Sequence, residues 1–459
     1  MAVKAKFGSK IGLVAATVGS AVGLGNVWRF PAETQANGGA AFLIIYILCI
    51  FIFGIPVMTS EFALGRGGNS DAVGAFRRVT PGKRWWLVGG LAILASYLIL
   101  SFYMVVSGWT LEYLWQSITN GLYSPVAGTA GMDANAAAHL QFKSRMNEYI
   151  MQDWRPLVMT YVMLAANLGV LLLGVQKGIE KMSNILMPLL FLLLVIFCAV
   201  SLSLPGAADG VAFFLRPDFS KVTPSTVISA LGQAFFSLSL GMGILITYSS
   251  YFPRDTKLTR TAVTVSLLDL LVAFLMGLVI FPAVTTFGLG DHELAGSALV
   301  FVTLPEIFAR MSGTQFWSIL FFLLLTVAAF TSTISLAEVS VAFLQDRAHM
   351  RRRSACVAVI LPLFVLSTVC SLSVGSWSGF RICGMTIFDF LDNVATNIML
   401  PVGSIFLCIY MGWVAPKKFF HNELTNHGTV TSHVFSVIHF IVKWVAPLLI
   451  GVILISQYL

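Results

Sequence analysis

Apolar residues in this chain run in stretches of twenty or more, separated by short polar segments. Runs of that length predict helices that cross a membrane, because about 20 residues span a hydrocarbon layer ~30 Å thick. The pattern predicts about eleven spans, near 10–34, 40–64, 86–118, 156–176, 182–203, 224–252, 260–288, 314–344, 354–375, 384–412 and 435–457. Two outer connections, near 119–155 and 289–313, are long enough to fold as caps, the second broken at Leu304-Pro305. The stretch Lys417 to His433 reads as a plain polar connection, and no soluble domain is expected.

The strongest departure from this rhythm lies inside the first span, in Gly19-Ser-Ala-Val-Gly-Leu-Gly-Asn26-Val-Trp-Arg29-Phe-Pro31. Three glycines, an asparagine, an arginine and a proline are costly against acyl chains, so they should line a protected cavity. Gly19, Gly23 and Gly25 let the backbone unwind, which frees carbonyls for a cation and turns amides toward an anion. The sixth span carries a second such run, Ser237-Leu-Ser-Leu-Gly-Met-Gly243, preceded by Gln233. Five spans invert the direction of insertion, so the two broken helices should meet antiparallel at the midplane. That is the sequence pointer to an inverted-repeat secondary transporter. Residues 1–203 then form the first repeat, 204–412 the inverted second, and 413–459 a cytoplasmic connection with an eleventh span.

Other polar groups fall within apolar runs. The eighth span holds Ala328-Ala-Phe-Thr331-Ser332-Thr333, whose hydroxyls and nearby carbonyls suit a monovalent cation. Such side chains commonly bond back to the preceding turn, so they gain meaning only beside the broken first span. Asp269 lies deep in the seventh span and needs a neutralising partner, either a sodium ion or a proton or lysine. Glu338 stands nearer the cytoplasm, where solvation in an inner vestibule competes with a site role. Tyr103, near Trp109, is placed either to close over a bound carboxylate or to sit as an interfacial aromatic. Arg29 and Asp392, at the outer ends of their spans, make either a gate or a static ion pair.

Composition narrows the class. The chain is 57% hydrophobic and 10% charged, against about a quarter charged for a soluble domain. A net charge of +8 raises the question of nucleic acid, but the basic residues are spread among short loops. Lys4, Lys6, Lys10, Arg77, Arg78, Lys83, Arg84 and the run Arg351 to Arg353 fall on the side of the N-terminus, which should be cytoplasmic. An odd number of spans then puts the C-terminus outside. No small-residue cleavage site ends the first apolar run, which therefore reads as a retained helix. The six cysteines read as packing residues, and His421, His427 and His433 are too loosely spaced for a metal site. No metalloprotease motif or nucleophile elbow is visible, so an enzyme is not expected.

Taken together, the Gly19 to Pro31 run, the Ser237 to Gly243 run, the Thr331-Ser332 pair and the Trp109 region resemble, in order, the neurotransmitter:sodium symporter family. The likeness is to its bacterial amino-acid members with the leucine-transporter fold. The resemblance implies an all-α polytopic protein with a five-plus-five inverted repeat, co-transport with sodium, and alternating access. It implies a first sodium at Ala21, Asn26, Ser237 and Asp269, and a second at Gly19, Val22, Ala328, Thr331 and Ser332. Substrate would touch Ser20, Ala21, Leu24 and Gly25 of the first span, and Ile99 and Tyr103 of the third. On the sixth and eighth spans it would touch Phe236, Ser237, Ser239, Met242, Ser332 and Leu336. Arg29, Asp392 and Phe236 would form the outer gate, supported by Gln233, while Asp346, Tyr251 and a basic residue near Lys4 would form the inner one.

Chloride-requiring relatives have an asparagine where Asp269 stands, so no chloride is expected here. Proton antiport follows if Asp269 is protonated on the empty return step. Gly23 replaces the aspartate of amine carriers, which points to an α-amino acid, and Met242 with the apolar walls Ile99, Phe236 and Leu336 points to neutral hydrophobic, including aromatic, L-amino acids. The twelfth span of animal relatives is missing, which suggests a bacterial inner membrane, with lipid around the protein and no nucleic-acid partner. A sensor or assembly protein on the same fold is the alternative, and a channel a further one.

Overall fold

The computed structural model describes residues 5–124, 134–289, 296–430 and 434–456. Among them every regular element is helical, apart from an isolated bridge between Ile382 and Met385. Long apolar helices form the second span (Ala40–Gly68), third (Trp86–Ile118), fourth (Trp154–Leu172), fifth (Val175–Leu202) and seventh (Leu258–Thr286). The eighth (Thr314–Arg347), ninth (Arg352–Val374), tenth (Ile387–Val414) and eleventh (Phe435–Ser456) are of the same kind. The first is a bent pair, Lys10–Ala21 and Gly25–Ala36, meeting at 54°. The sixth is split into Pro224–Ser237 and Ile244–Ser249, each too short to cross alone.

Local sequence explains the starts of both broken spans. Ser9 caps the first by accepting from the Gly12 amide at 2.9 Å, and Thr223 with Thr226 forms a reciprocal cap on the sixth, with Pro224 in its first turn. The eighth span is the centre of the bundle, with 72% of its most apolar stretch buried, whereas the eleventh, at 28%, faces outward. Lipid is as apolar as leucine, so association within the bundle rests on close packing of small residues. Gly65 of the second span is such a point. A Cβ there would lie 2.0 Å from the Ile246 carbonyl oxygen of the sixth.

The structure corrects three expectations. The stretch after Lys417 is no loose connection: Lys417–Leu424 is a helix, bolted to the second span by Arg66, whose Nε lies 2.7 Å from Glu423 Oε2. The same guanidinium donates to Thr256 O at 2.6 Å and Asn426 Oδ1 at 2.9 Å, and to the Glu423 carbonyl. Glu338 is not solvated but fully buried. Five cysteines are buried, but Cys383 is exposed in the outer turn before the tenth span. Of the outer connections, the first contains the helix Ala134–Met151 and the second ends in Leu304–Ala309. His139 of one lies 3.3 Å from Glu306 of the other. Lys4 and His433 lie outside the described residues.

Candidate functional site

Where the first and sixth spans break, backbone groups lose their helical partners and must find others. In the first, the Gly23 amide donates to Asn26 Oδ1 at 3.1 Å and the Leu24 amide to the Tyr103 hydroxyl at 3.2 Å. In the sixth, the Gly241 amide donates to the buried Glu61 carboxylate at 2.8 Å, and the Met242 carbonyl accepts from Ser96. Ser239, held at φ 53, links the two breaks by donating to the Ser20 carbonyl at 3.0 Å. Between them lies a small cavity. All twelve expected substrate contacts line it, and so do Gly23, Phe102, Ile244 and Thr396, which sequence reasoning left out.

Two groups of oxygens flank this cavity. In one, Asn26 Nδ2 donates to Asp269 Oδ1 at 2.8 Å and lies 3.2 Å from Ser237 Oγ, while Ser237 donates to Asp269 Oδ2 at 2.7 Å. The Tyr46 hydroxyl faces the same carboxylate. No lysine reaches Asp269, so among the described residues this charge is held by amide and hydroxyl dipoles alone. In the other group, Ser332 Oγ lies 3.2 Å from Val22 O, 3.2 Å from Ala328 O and 3.5 Å from Gly19 O, with Thr331 Oγ1 3.0 Å from Ala328 O. One hydroxyl hydrogen cannot serve three carbonyls. This cage therefore has spare acceptor capacity and no formal charge, which suits a weakly charged hard cation.

Both ends of the passage are built from side chains. At the end nearer the N-terminus the Phe7 ring is buried against Tyr248 and Tyr251, at 5.9 and 6.2 Å between centroids, and its amide donates to the Tyr251 carbonyl. Tyr251 donates to Glu338 Oε1 at 2.8 Å, and Arg352 grips both oxygens of that carboxylate at 2.9 and 2.8 Å. Asp346, about two turns beyond Glu338 on the eighth span, accepts from the Asp71 amide at 2.7 Å. On the outer side Arg29 lies 4.9 Å over the Phe236 ring and 3.9 Å from Glu33. Among the described residues Arg29 and Asp392 make no ion pair within 4.0 Å, and Asp392 accepts instead from Thr396. Gln233 donates to the Gly25 carbonyl at 3.4 Å. The inner end is thus the more firmly closed.

The buried pair at the inner end makes a stability prediction. Glu338→Gln leaves the partly buried Arg352 guanidinium without its charge partner, a loss of about 3 kcal/mol. We expect thermal unfolding in detergent to fall by several degrees. An unchanged Tm would show that the pair contributes nothing to stability.

Comparison with known proteins decides what this arrangement belongs to. Residues 4–127 and 136–459 match the family described as the sodium:neurotransmitter symporter family. The chain belongs to this symporter family. An uncharacterized sodium-dependent transporter of Bacillus subtilis, YhdH, is 33% identical over 451 residues, covering 98% of this chain and 97% of that protein. The sodium-dependent serotonin transporter of Drosophila melanogaster is 30% identical over 84% of this chain and 66% of its own length. Among solved structures, that of MhsT in complex with L-phenylalanine superposes with a TM-score of 0.87 at 38% identity, covering 99% of this chain and all of that one. Membership makes this chain a multi-pass, sodium-dependent symporter and not an enzyme.

Within that family frame the residues missed from sequence have a common character. Glu61, Ser96 and Tyr46 serve the breaks from neighbouring helices, and each stands in an otherwise ordinary apolar run. A fully buried carboxylate such as Glu61 was the one usable signal, because a charge at that depth calls for a partner.

Proposed function

We propose that this symporter imports neutral hydrophobic L-amino acids, including aromatic ones, with two sodium ions and without chloride. The observation that carries the reading is the cavity between the two breaks, whose lining combines hydroxyls and freed backbone groups with apolar side chains. There the Leu24 amide and Tyr103 hydroxyl would meet a carboxylate, while freed carbonyls of both breaks would meet the ammonium. Ile99, Phe236, Met242 and Leu336 supply the apolar lining, and the flexible thioether of Met242 can adapt to different side chains. A solved relative that holds L-phenylalanine supports the same substrate class.

One sodium would sit with Ala21, Asn26, Ser237, Asp269 and the substrate carboxylate, once the Asn26 amide turns its oxygen inward. The other would occupy the cage of Gly19, Val22, Ala328, Thr331 and Ser332. Asp269 supplies a fixed negative charge beside the first, which is why chloride is not needed. Arg29, Asp392, Gln233 and Phe236 serve the outer gate, and Tyr251 and Asp346 the inner one, in a fold of two inverted five-span repeats. Inward sodium movement down a negative-inside potential gains about 2.3 kcal/mol per charge per 100 mV.

The test is uptake of radiolabelled leucine, tryptophan and alanine into proteoliposomes at fixed membrane potential, with sodium and chloride varied independently. Sodium-dependent accumulation that persists without chloride is the expected result. Sodium-dependent binding with no accumulation would replace this reading with that of a sensor.

A further inference from the structure

Six residues of the sixth span, 238–243, have left the helix; the Gly243 carbonyl still accepts from the Thr247 amide of the next turn at 2.9 Å, but the Met242 carbonyl needs a donor from elsewhere. Met242 lines the cavity, and its carbonyl accepts a hydrogen bond from the Ser96 hydroxyl of the third span. Serines elsewhere in that helix bond back to their own turn: Ser101 donates to Leu98 O at 2.6 Å and Ser107 to Met104 O at 2.8 Å. Ser96, fully buried, donates across to a different helix instead.

Its place on the third span gives that bond a purpose. Ser96, Ile99 and Tyr103 are spaced three and four apart, so they share one face. That face holds both breaks, since Tyr103 accepts from the first at Leu24 while Ser96 donates into the sixth. One turn below, Ala92 Cβ lies 3.3 Å from where a Cβ on Gly243 would stand, and Gly243 has φ 71. The backbone leaving Met242 is therefore closely enclosed, by Ala92 of the third span and by Val339 and Ala72, which a Cβ on Gly243 would meet at 3.5 and 3.7 Å.

We propose that Ser96 is a positioning residue for substrate choice. Through the Met242 carbonyl it fixes how far the Met242 side chain reaches across the floor of the pocket, and so sets the size of hydrophobic side chain accepted. Without the hydroxyl, the carbonyl is left unpaired and moves to find another donor, and the thioether withdraws with it. Larger substrates then gain relative to small ones. This inference rests on the amino-acid reading of the same cavity.

The test is sodium-dependent binding of radiolabelled leucine to the purified full chain, displaced by unlabelled alanine, phenylalanine and tryptophan. In Ser96→Ala the preference for tryptophan over alanine should rise about fivefold, the worth of one buried hydrogen bond. The sodium half-saturation should stay within about twofold, because neither oxygen group includes Ser96. Ser96→Cys keeps the volume with a weaker donor and should fall between. An unchanged preference in both variants, or an equal loss for every amino acid, would overturn the role. If the unaltered protein binds no amino acid, the reading of the cavity fails first and takes this role with it.

Discussion

Replacing Asp269 by asparagine is expected to make uptake depend on chloride. In the native chain Asp269 is fully buried and is met by the Asn26 amide at 2.8 Å and the Ser237 hydroxyl at 2.7 Å. Those dipoles stabilise the carboxylate but do not cancel its charge. On the proposed assignment, a sodium ion arriving there would meet a carboxylate charge in a medium of low dielectric, where Coulomb attraction is many times its value in water. Asparagine keeps the shape and removes the charge, so an external anion has to supply it. Uptake by Asp269→Asn should fall at least about tenfold without chloride, the equivalent of ~1.4 kcal/mol, and recover as chloride is added. The native protein should be indifferent to the same change. Equal uptake by the variant with and without chloride would rule out the compensating role of Asp269.

Gly23→Ala should have a larger effect from a single methyl group. A Cβ at this position would lie 2.8 Å from Ser332 Oγ and 3.0 Å from the Tyr103 hydroxyl oxygen. Ser332 can escape only by leaving the carbonyls of Val22 and Gly19, which opens the uncharged oxygen cage. Tyr103 can escape only by leaving the Leu24 amide, which breaks the link between the first-span break and the third span where the proposal puts the substrate carboxylate. Two hydrogen-bonded positions lost at about 1.4 kcal/mol each amount to roughly 100-fold in kcat/KM. The sodium half-saturation should rise about tenfold at the same time. Retained thermal stability in detergent would show that the variant folds, and uptake within threefold of native would sink the prediction.

How much of this was legible in the sequence depends on the kind of signal each element leaves. Spans are legible because length and apolarity act locally. The predicted limits of the third span coincide with the helix Trp86–Ile118, and those of the eighth differ from Thr314–Arg347 by a few residues at one end. The breaks are legible because glycines within lipid-crossing helices are informative, as Gly23 and Gly243 show. Asp269 and Glu338 announce themselves as buried acids, but their partners do not. Arg352 stands 14 residues from Glu338 and looks like any other loop cation. Arg66 finds Glu423 across 357 residues, and nothing local to either marks the pair. Ser96 is hidden for a different reason: a serine in an apolar helix ordinarily bonds its own backbone, and only the neighbouring unwound segment gives it another partner. The Arg29 and Asp392 pair shows the reverse limit, since charges of opposite sign near the same end of two spans do not settle whether they meet.

The contacts made by the first span also bear on how the protein is made. Its start is captured by Glu180 of the fifth span, whose carboxylate accepts from the Gly8 amide at 2.7 Å and from the Ser9 amide and hydroxyl at 3.0 and 2.8 Å. Glu180 is 172 residues further along. At a synthesis rate of 5–20 residues per second, the nascent first helix waits roughly 10–35 s for that partner. Arg66 waits roughly 20–70 s for Glu423 on the same clock. During this interval the glycine-rich first helix sits in the bilayer or the insertion machinery with its N-terminal end untied. Its anchoring to Glu180 therefore follows the synthesis of the second, third and fourth spans.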